Sequence, residues 1–422
     1  MSADARHKTR TLWLAGVLHA FTHLYQVALL PLYLPIQADF KLASEGQTTL
    51  LVTVMMIAYF LPSYPMGMLA DRFSRKKLLG LGLLINALGF VGLALAPNYA
   101  LALTSVVVAG LGGSFFHPAA TALVARLFPV GTGKALGLLG IGAGVGFFLG
   151  PVYAGWHAAQ AGNWRAPVLV LGALGVIAAG LFAWLAEEER AAPAVVPGTK
   201  LPEGLFPTPA LWVFFIAAAF AFCLRDFAGS SMGTLGSLFL QHARAFSLPE
   251  TGLALSGIFL AGTVSNPIFG HLSDRGRLRW TCVAILFAMA AVAMFPHVPK
   301  GWVIPALMVY GFFFMASYPM VEAALMVSVP DAVRGRVFGL WITIGGLMGN
   351  LSHWLVGHWV EGLGDAANSP PGYFRFYGLL ALMLLLSLAG LPCLHAIRKR
   401  EHLEGEPATT ESAIRDPRSA PP

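Results

Sequence analysis

Charge is scarce in this sequence. Lys, Arg, Asp and Glu make up 11% of its 422 residues, where soluble globular domains carry roughly 25%. That scarcity excludes a water-covered surface for most of the chain. Cysteine is scarce too. Cys223, Cys282 and Cys393 all lie in apolar runs, at spacings that form neither a disulfide framework nor a metal site. No Gly-x-x-x-x-Gly-Lys-Ser/Thr loop occurs, which argues against ATP coupling within the chain. No zinc spacing or nucleophile elbow occurs either. An enzyme is therefore not expected, and no cofactor or metal is expected.

What the sequence has instead is hydrophobicity, at 57% of residues. Apolar runs such as 210–223 and 376–391 do not alternate with polar residues, so they do not read as barrel strands. Lipid offers no partners to backbone polar groups, which leaves helices of about 20 residues as the spanning structure. Twelve spans are expected, near 11–35, 47–70, 78–96, 100–125, 135–156, 166–186, 209–238, 251–272, 280–296, 302–327, 337–360 and 374–396. The first run passes signal-peptide length without a clear cleavage site and reads as a retained helix. The segment 187–208 is charged, then rich in Pro and Gly, and reads as a cytoplasmic linker. It separates an N-terminal six-helix bundle, 1–186, from a C-terminal one, 209–397. Residues 398–422 are charged and Pro-rich and read as a disordered cytoplasmic tail.

The net excess of seven positive charges suggests nucleic acid only until it is mapped. With the N-terminus in the cytoplasm, Lys41, Arg165, Arg244, Lys300 and Arg375 fall on the outer side. Arg225 falls within a span. Every other Lys and Arg falls on the cytoplasmic side, as the positive-inside rule requires. Both termini are then cytoplasmic, and the basic balance needs no nucleic acid.

The chain also repeats itself. Gly67-Met-Leu-Ala-Asp71-Arg72 returns as Gly270-His-Leu-Ser-Asp274-Arg275. His117-Pro118 returns as Tyr318-Pro319, and Lys134-Ala-Leu-Gly-Leu as Arg336-Val-Phe-Gly-Leu. The offsets are 203, 201 and 202 residues. Parallel six-helix repeats place a transport site between the halves near mid-membrane.

With these motifs the sequence resembles the major facilitator superfamily. Gly67, Asp71, Arg72 and Arg75 match its cytoplasmic signature, and Asp274 and Arg275 echo it. The resemblance implies a gate that holds the cytoplasmic side closed; the competing reading is a basic cluster that only sets topology. In the fifth span, Gly137, Gly146, Gly150, Pro151 and Gly155 resemble the motif of the antiporter branch, with Ala154 in place of a Gly. This implies export; ordinary close helix packing is the alternative. Gly112-Gly113-Ser114-Phe115-Phe116-His117-Pro118, with the first-span patch of His19, His23 and Gln26, resembles the fosmidomycin-resistance-like drug exporters. Ala119 stands where that group would have an acid, and Val106 to Val108 occupy the place of a fourth-helix Arg.

Ionisable groups at membrane depth cost about 2.5–3.5 kcal/mol on insertion scales, so each invites a functional reading. Glu322, Asp226 and His117 are candidates for proton coupling. His19, His23, Gln26, Arg225, Asn266, Asn350 and His353 are candidates for substrate binding. His19 and His23 are four residues apart, on one helical face. Arg225 and Asp226 are neighbours pointing about 100° apart and need not pair. For each of them a static hydrogen bond or ion pair is the competing role.

The sequence thus reads as an all-α membrane protein with twelve transmembrane helices in two six-helix repeats. The function read from it is export of a small organic molecule by alternating access, with protons as the coupling partner. The alternatives are metabolite uptake, or a membrane sensor or scaffold. Its expected setting is the cytoplasmic membrane, as a monomer.

Overall fold

In a computed structural model, the protein is described at residues 3–128, 132–187, 205–206, 208–273, 276–326, 328–329 and 331–405. Most of the linker and the tail beyond 405 lie outside these residues. So do Asp274 and Arg275. Among the described residues there is no strand.

Each expected span is helical, but several are divided. The first is α1 (Ala3–Val27) and α2 (Tyr33–Phe40), separated by a short 3-10 turn around Pro31. The second is α3 (Glu45–Phe60) and α4 (Ser63–Arg72). Ser44 caps α3 by accepting a hydrogen bond from the Gln47 amide, and Pro62 stands at the break between α3 and α4. Next come α5 (Arg75–Leu95), α6 (Tyr99–Gly113), α7 (Phe116–Leu127), α8 (Thr132–Ala161) and α9 (Arg165–Leu185). The second half holds α10 (Pro209–His242), α11 (Leu248–Ser273), α12 (Arg277–Met294), α13 (Val303–Met326), α14 (Asp331–Glu361), α15 (Phe374–Ser387) and α16 (Gly390–Gly405).

Ten of these segments are long and apolar enough to cross a membrane. The two expected spans outside that group have evident reasons. α3 is only 16 residues long. α14 is long, but Asn350, Ser352, His353 and His358 dilute its apolar character. Large apolar side chains such as Trp184, Phe220 and Ile177 are exposed around the bundle, as hydrocarbon surroundings allow.

Equivalent turns of the two halves are held by arginines from different loops. Arg165 donates to the carbonyls of Ala94 and Ala96 at 2.9 and 2.7 Å. Arg244 donates to those of Pro296 and Val298 at 2.7 and 2.9 Å. The captured carbonyls are 202 residues apart, the offset seen in the sequence. Both sit at the far end, away from the basic loops.

The halves meet along α3 with α14 and α8 with α11. A Cβ added at Gly357 on α14 would collide with Thr49 on α3, and one at Gly252 on α11 would collide with the Pro151 carbonyl on α8. Backbones approach this closely only because both positions lack a side chain. These contacts lie toward the far end, which is closed.

Candidate functional site

Two polar clusters form, one in each half. In the first, α1 contributes His19 and His23 from successive turns, and α7 contributes His117. Phe116 stacks on His19 with ring centroids 4.6 Å apart, and Phe147 stacks on His23 at 4.2 Å. His19 and His23 are buried, whereas His117 is exposed. The Leu139 carbonyl can only accept, so His19 donates to it from Nδ1 at 2.9 Å. His23 Nδ1 lies 2.9 Å from Gln26 Oε1, and the Nε2 atoms of the two rings are 3.0 Å apart. The first-span patch of His19, His23 and Gln26 is thus joined by His117 from α7.

The second cluster lies between α10 and α13. Arg225 is 1% exposed. It donates through Nε and Nη2 to Asp226 Oδ1 at 3.0 and 2.8 Å, and through Nη1 to the Ser317 carbonyl at 3.4 Å. The neighbours therefore do pair, because the long Arg side chain curls back to its own helix. The guanidinium also lies 4.1 Å from the Tyr318 ring centroid, a cation–π contact strengthened by desolvation. Glu322, one turn further along α13, is within electrostatic reach of both Arg225 and Asp226. Gly345 and Gly349 of α14 face the Asp226 side chain. Tyr318 was not singled out from sequence as a site residue. The signal was present, since the repeat aligns Tyr318 with His117.

Asn350 and His353 belong to neither cluster. His353 Nε2 lies 3.1 Å from Asn350 Oδ1, and its Nδ1 lies 2.6 Å from Thr234 Oγ1. Thr234 in turn is 3.0 Å from the Tyr33 hydroxyl of the first half. This chain crosses the seam. Beside it, Ser237 donates to the Leu30 carbonyl at 2.5 Å, Thr53 donates to the Asn350 carbonyl at 3.1 Å, and His242 lies 3.5 Å from Glu45. A further hydrogen bond between the halves comes from Ser256, which donates to the Phe148 carbonyl at 2.7 Å. Asn266 is exposed on α11, apart from these groups.

At the opposite end, Gly67 packs near Pro118, Arg72 is exposed at the end of α4, and Arg75 is buried in the first turn of α5. The Asp71 side chain lies outside what is described, as do Asp274 and Arg275. In α8, Gly146 and Gly150 lie against the α1 backbone at Ala20 and Leu24, and Gly155 lies against Leu248 of α11. Gly137 has open space beside it.

The chain is similar to several known proteins. The family model described as Major Facilitator Superfamily matches residues 12–353. The quinolone resistance protein NorA of Staphylococcus aureus (strain MRSA252) is 23% identical, over 71% of this chain and 75% of its own. The fosmidomycin resistance protein of Escherichia coli (strain K12) is 23% identical, over 78% and 82%. The multidrug resistance protein MdtH of Shigella dysenteriae serotype 1 (strain Sd197) is 26% identical, over 76% and 79%. Among solved structures, a bacterial homolog of the human lysosomal transporter Spinster, inward-facing and unoccupied, superposes with a TM-score of 0.70. It is 19% identical and covers 96% of this chain and 99% of that one.

Proposed function

Because this chain belongs to the major facilitator superfamily, we propose that it is a secondary active transporter that exports a small organic molecule by alternating access, coupled to inward proton flow. The observation that carries the coupling is the Arg225–Asp226–Tyr318–Glu322 cluster. Two carboxyls there share one fully buried guanidinium. A proton arriving on Glu322 or Asp226 removes a negative charge from beside Arg225 and changes how firmly α10 holds α13. That is a differential contact of the kind a proton needs to bias two access states.

Export is supported by relatives whose names are resistance proteins and by the glycine pattern of α8. The imidazole cluster and Gln26 offer donors and acceptors to a substrate in the first half. In this reading the basic loops are cytoplasmic, the closed far end is the outer side, and the protein works as a monomer in a bacterial cytoplasmic membrane. Its moving bodies are the bundles 1–186 and 209–397, joined by the linker 187–208. The Gly67–Arg75 segment, with Asp274 and Arg275, closes the cytoplasmic side in the alternate state.

The test is reconstitution into vesicles with an enclosed pH-sensitive dye and a compound screen. Substrate-dependent proton movement is expected in the wild type and lost in Glu322→Gln and Asp226→Asn. Unchanged proton flux in both variants would remove the coupling assignment.

A further inference from the structure

The geometry points to a site for a divalent transition-metal ion at His19, His23 and His117. Sequence spacing showed no metal motif, because two of the ligands sit one turn apart on α1 and the third arrives on α7. In the folded chain the ligating nitrogens of all three lie within 4.8 Å of one another.

The hydrogen bonds aim the lone pairs. His19 gives its Nδ1 proton to the Leu139 carbonyl, so its Nε2 in the neutral ring bears a lone pair. His23, with Nδ1 on Gln26 Oε1, is left in the same state. The two Nε2 atoms nevertheless face each other at 3.0 Å. Two lone pairs at that distance repel, and a cation between them removes the conflict. Metal-binding histidines are held this way, with the second ring nitrogen donating to a carbonyl oxygen that fixes tautomer and orientation.

Bonds of about 2.0–2.1 Å at tetrahedral angles separate ligand nitrogens by about 3.3 Å. The His19–His23 separation is slightly below that value and the outer limit of the cluster is above it. Rotation of the exposed His117 ring closes the remainder. Three imidazoles without a carboxylate select zinc, nickel, cobalt or copper over magnesium or calcium. Phe116 and Phe147 hold the two buried rings in place. The exposure of His117 allows both an entry path and a fourth ligand, water or another oxygen donor. A site of three protein ligands and one open position exchanges its ion and its fourth ligand more readily than a closed structural site.

A shared proton is the rival occupant, with Gln26 turned so that its amide nitrogen faces His23. Metal titration separates the two. Full-length, tag-free protein in detergent, stripped with chelator, is titrated with zinc by calorimetry and with cobalt by absorption spectroscopy. One equivalent of zinc per chain is expected, with a tetrahedral cobalt spectrum. His117→Ala and His23→Asn are expected to weaken binding by about tenfold or more, and His297→Ala to leave it unchanged. Gel filtration confirms that each variant is folded. Zinc is also expected to raise the melting temperature of the wild type and not of His117→Ala, a position exposed enough to tolerate substitution. Absence of stoichiometric binding, or binding unchanged in both cluster variants, would overturn the site. Neither result depends on transport.

Discussion

Arg225 illustrates what one residue can reveal and conceal. Its presence in an apolar run marks a functional or paired group, because an unpaired guanidinium at that depth is costly. Its partner was not legible. Adjacent residues on a helix diverge, yet the side chain is long enough to return to Asp226 while stacking on Tyr318. Removing one member of a buried ion pair leaves the other uncompensated, at about 3–5 kcal/mol. Asp226 is partly open, with 16% of its side chain exposed, and Glu322 stands nearby. Asp226→Asn is therefore expected to destabilise by the low end of that range, about 3 kcal/mol. A thermal melt in detergent should show a clearly lowered midpoint, partly recovered in the double variant Arg225→Met with Asp226→Asn. A midpoint that does not move would mean that Glu322 alone balances Arg225.

At the scale of elements, the helices were legible and their breaks were not. A 20-residue apolar run specifies a spanning helix. It does not say whether Pro31 or Pro62 divides that helix, while Pro151, Pro267 and Pro319 remain inside theirs. The outcome depends on neighbours that satisfy the freed backbone groups. The glycines of α8 show a similar division. Gly146 and Gly150 serve packing within the first half, against α1, while Gly155 serves the seam with α11. Gly357 of α14 is the most direct lever on that seam. A side chain there meets Thr49 and the Glu45 carbonyl, and overpacking of this kind costs about 1–3 kcal/mol. Levied on the far-end-closed state alone, that shifts an equilibrium roughly 5- to 150-fold. Gly357→Val is expected to lengthen the distance between spin labels at Gln47 and Glu361, exposed at the far ends of α3 and α14. An unchanged distance distribution would show that α14 rotates aside without opening the seam.

At the scale of the molecule, the two halves and the charge map lead to one arrangement across the bilayer. With Cys223, Cys282 and Cys393 replaced by Ser, a single cysteine at Lys41 is expected to react with an impermeant thiol reagent in intact cells. One at Lys77 is expected to react only after permeabilisation. Labelling of both from the same side would contradict the membrane map.

The sequence by itself determined the solvent, the helical class and the duplication, because each is written in composition or periodicity along the chain. It also nominated most of the polar residues, since an ionisable group in an apolar run stands out without any structure. Which of them meet was decided only in three dimensions. Three histidines on two helices form one cluster, an arginine finds its own neighbour, and His353 with Asn350 goes to the seam. Those meetings depend on the rotation and depth of each helix against the next, and helix packing sets both through contacts that no single segment encodes.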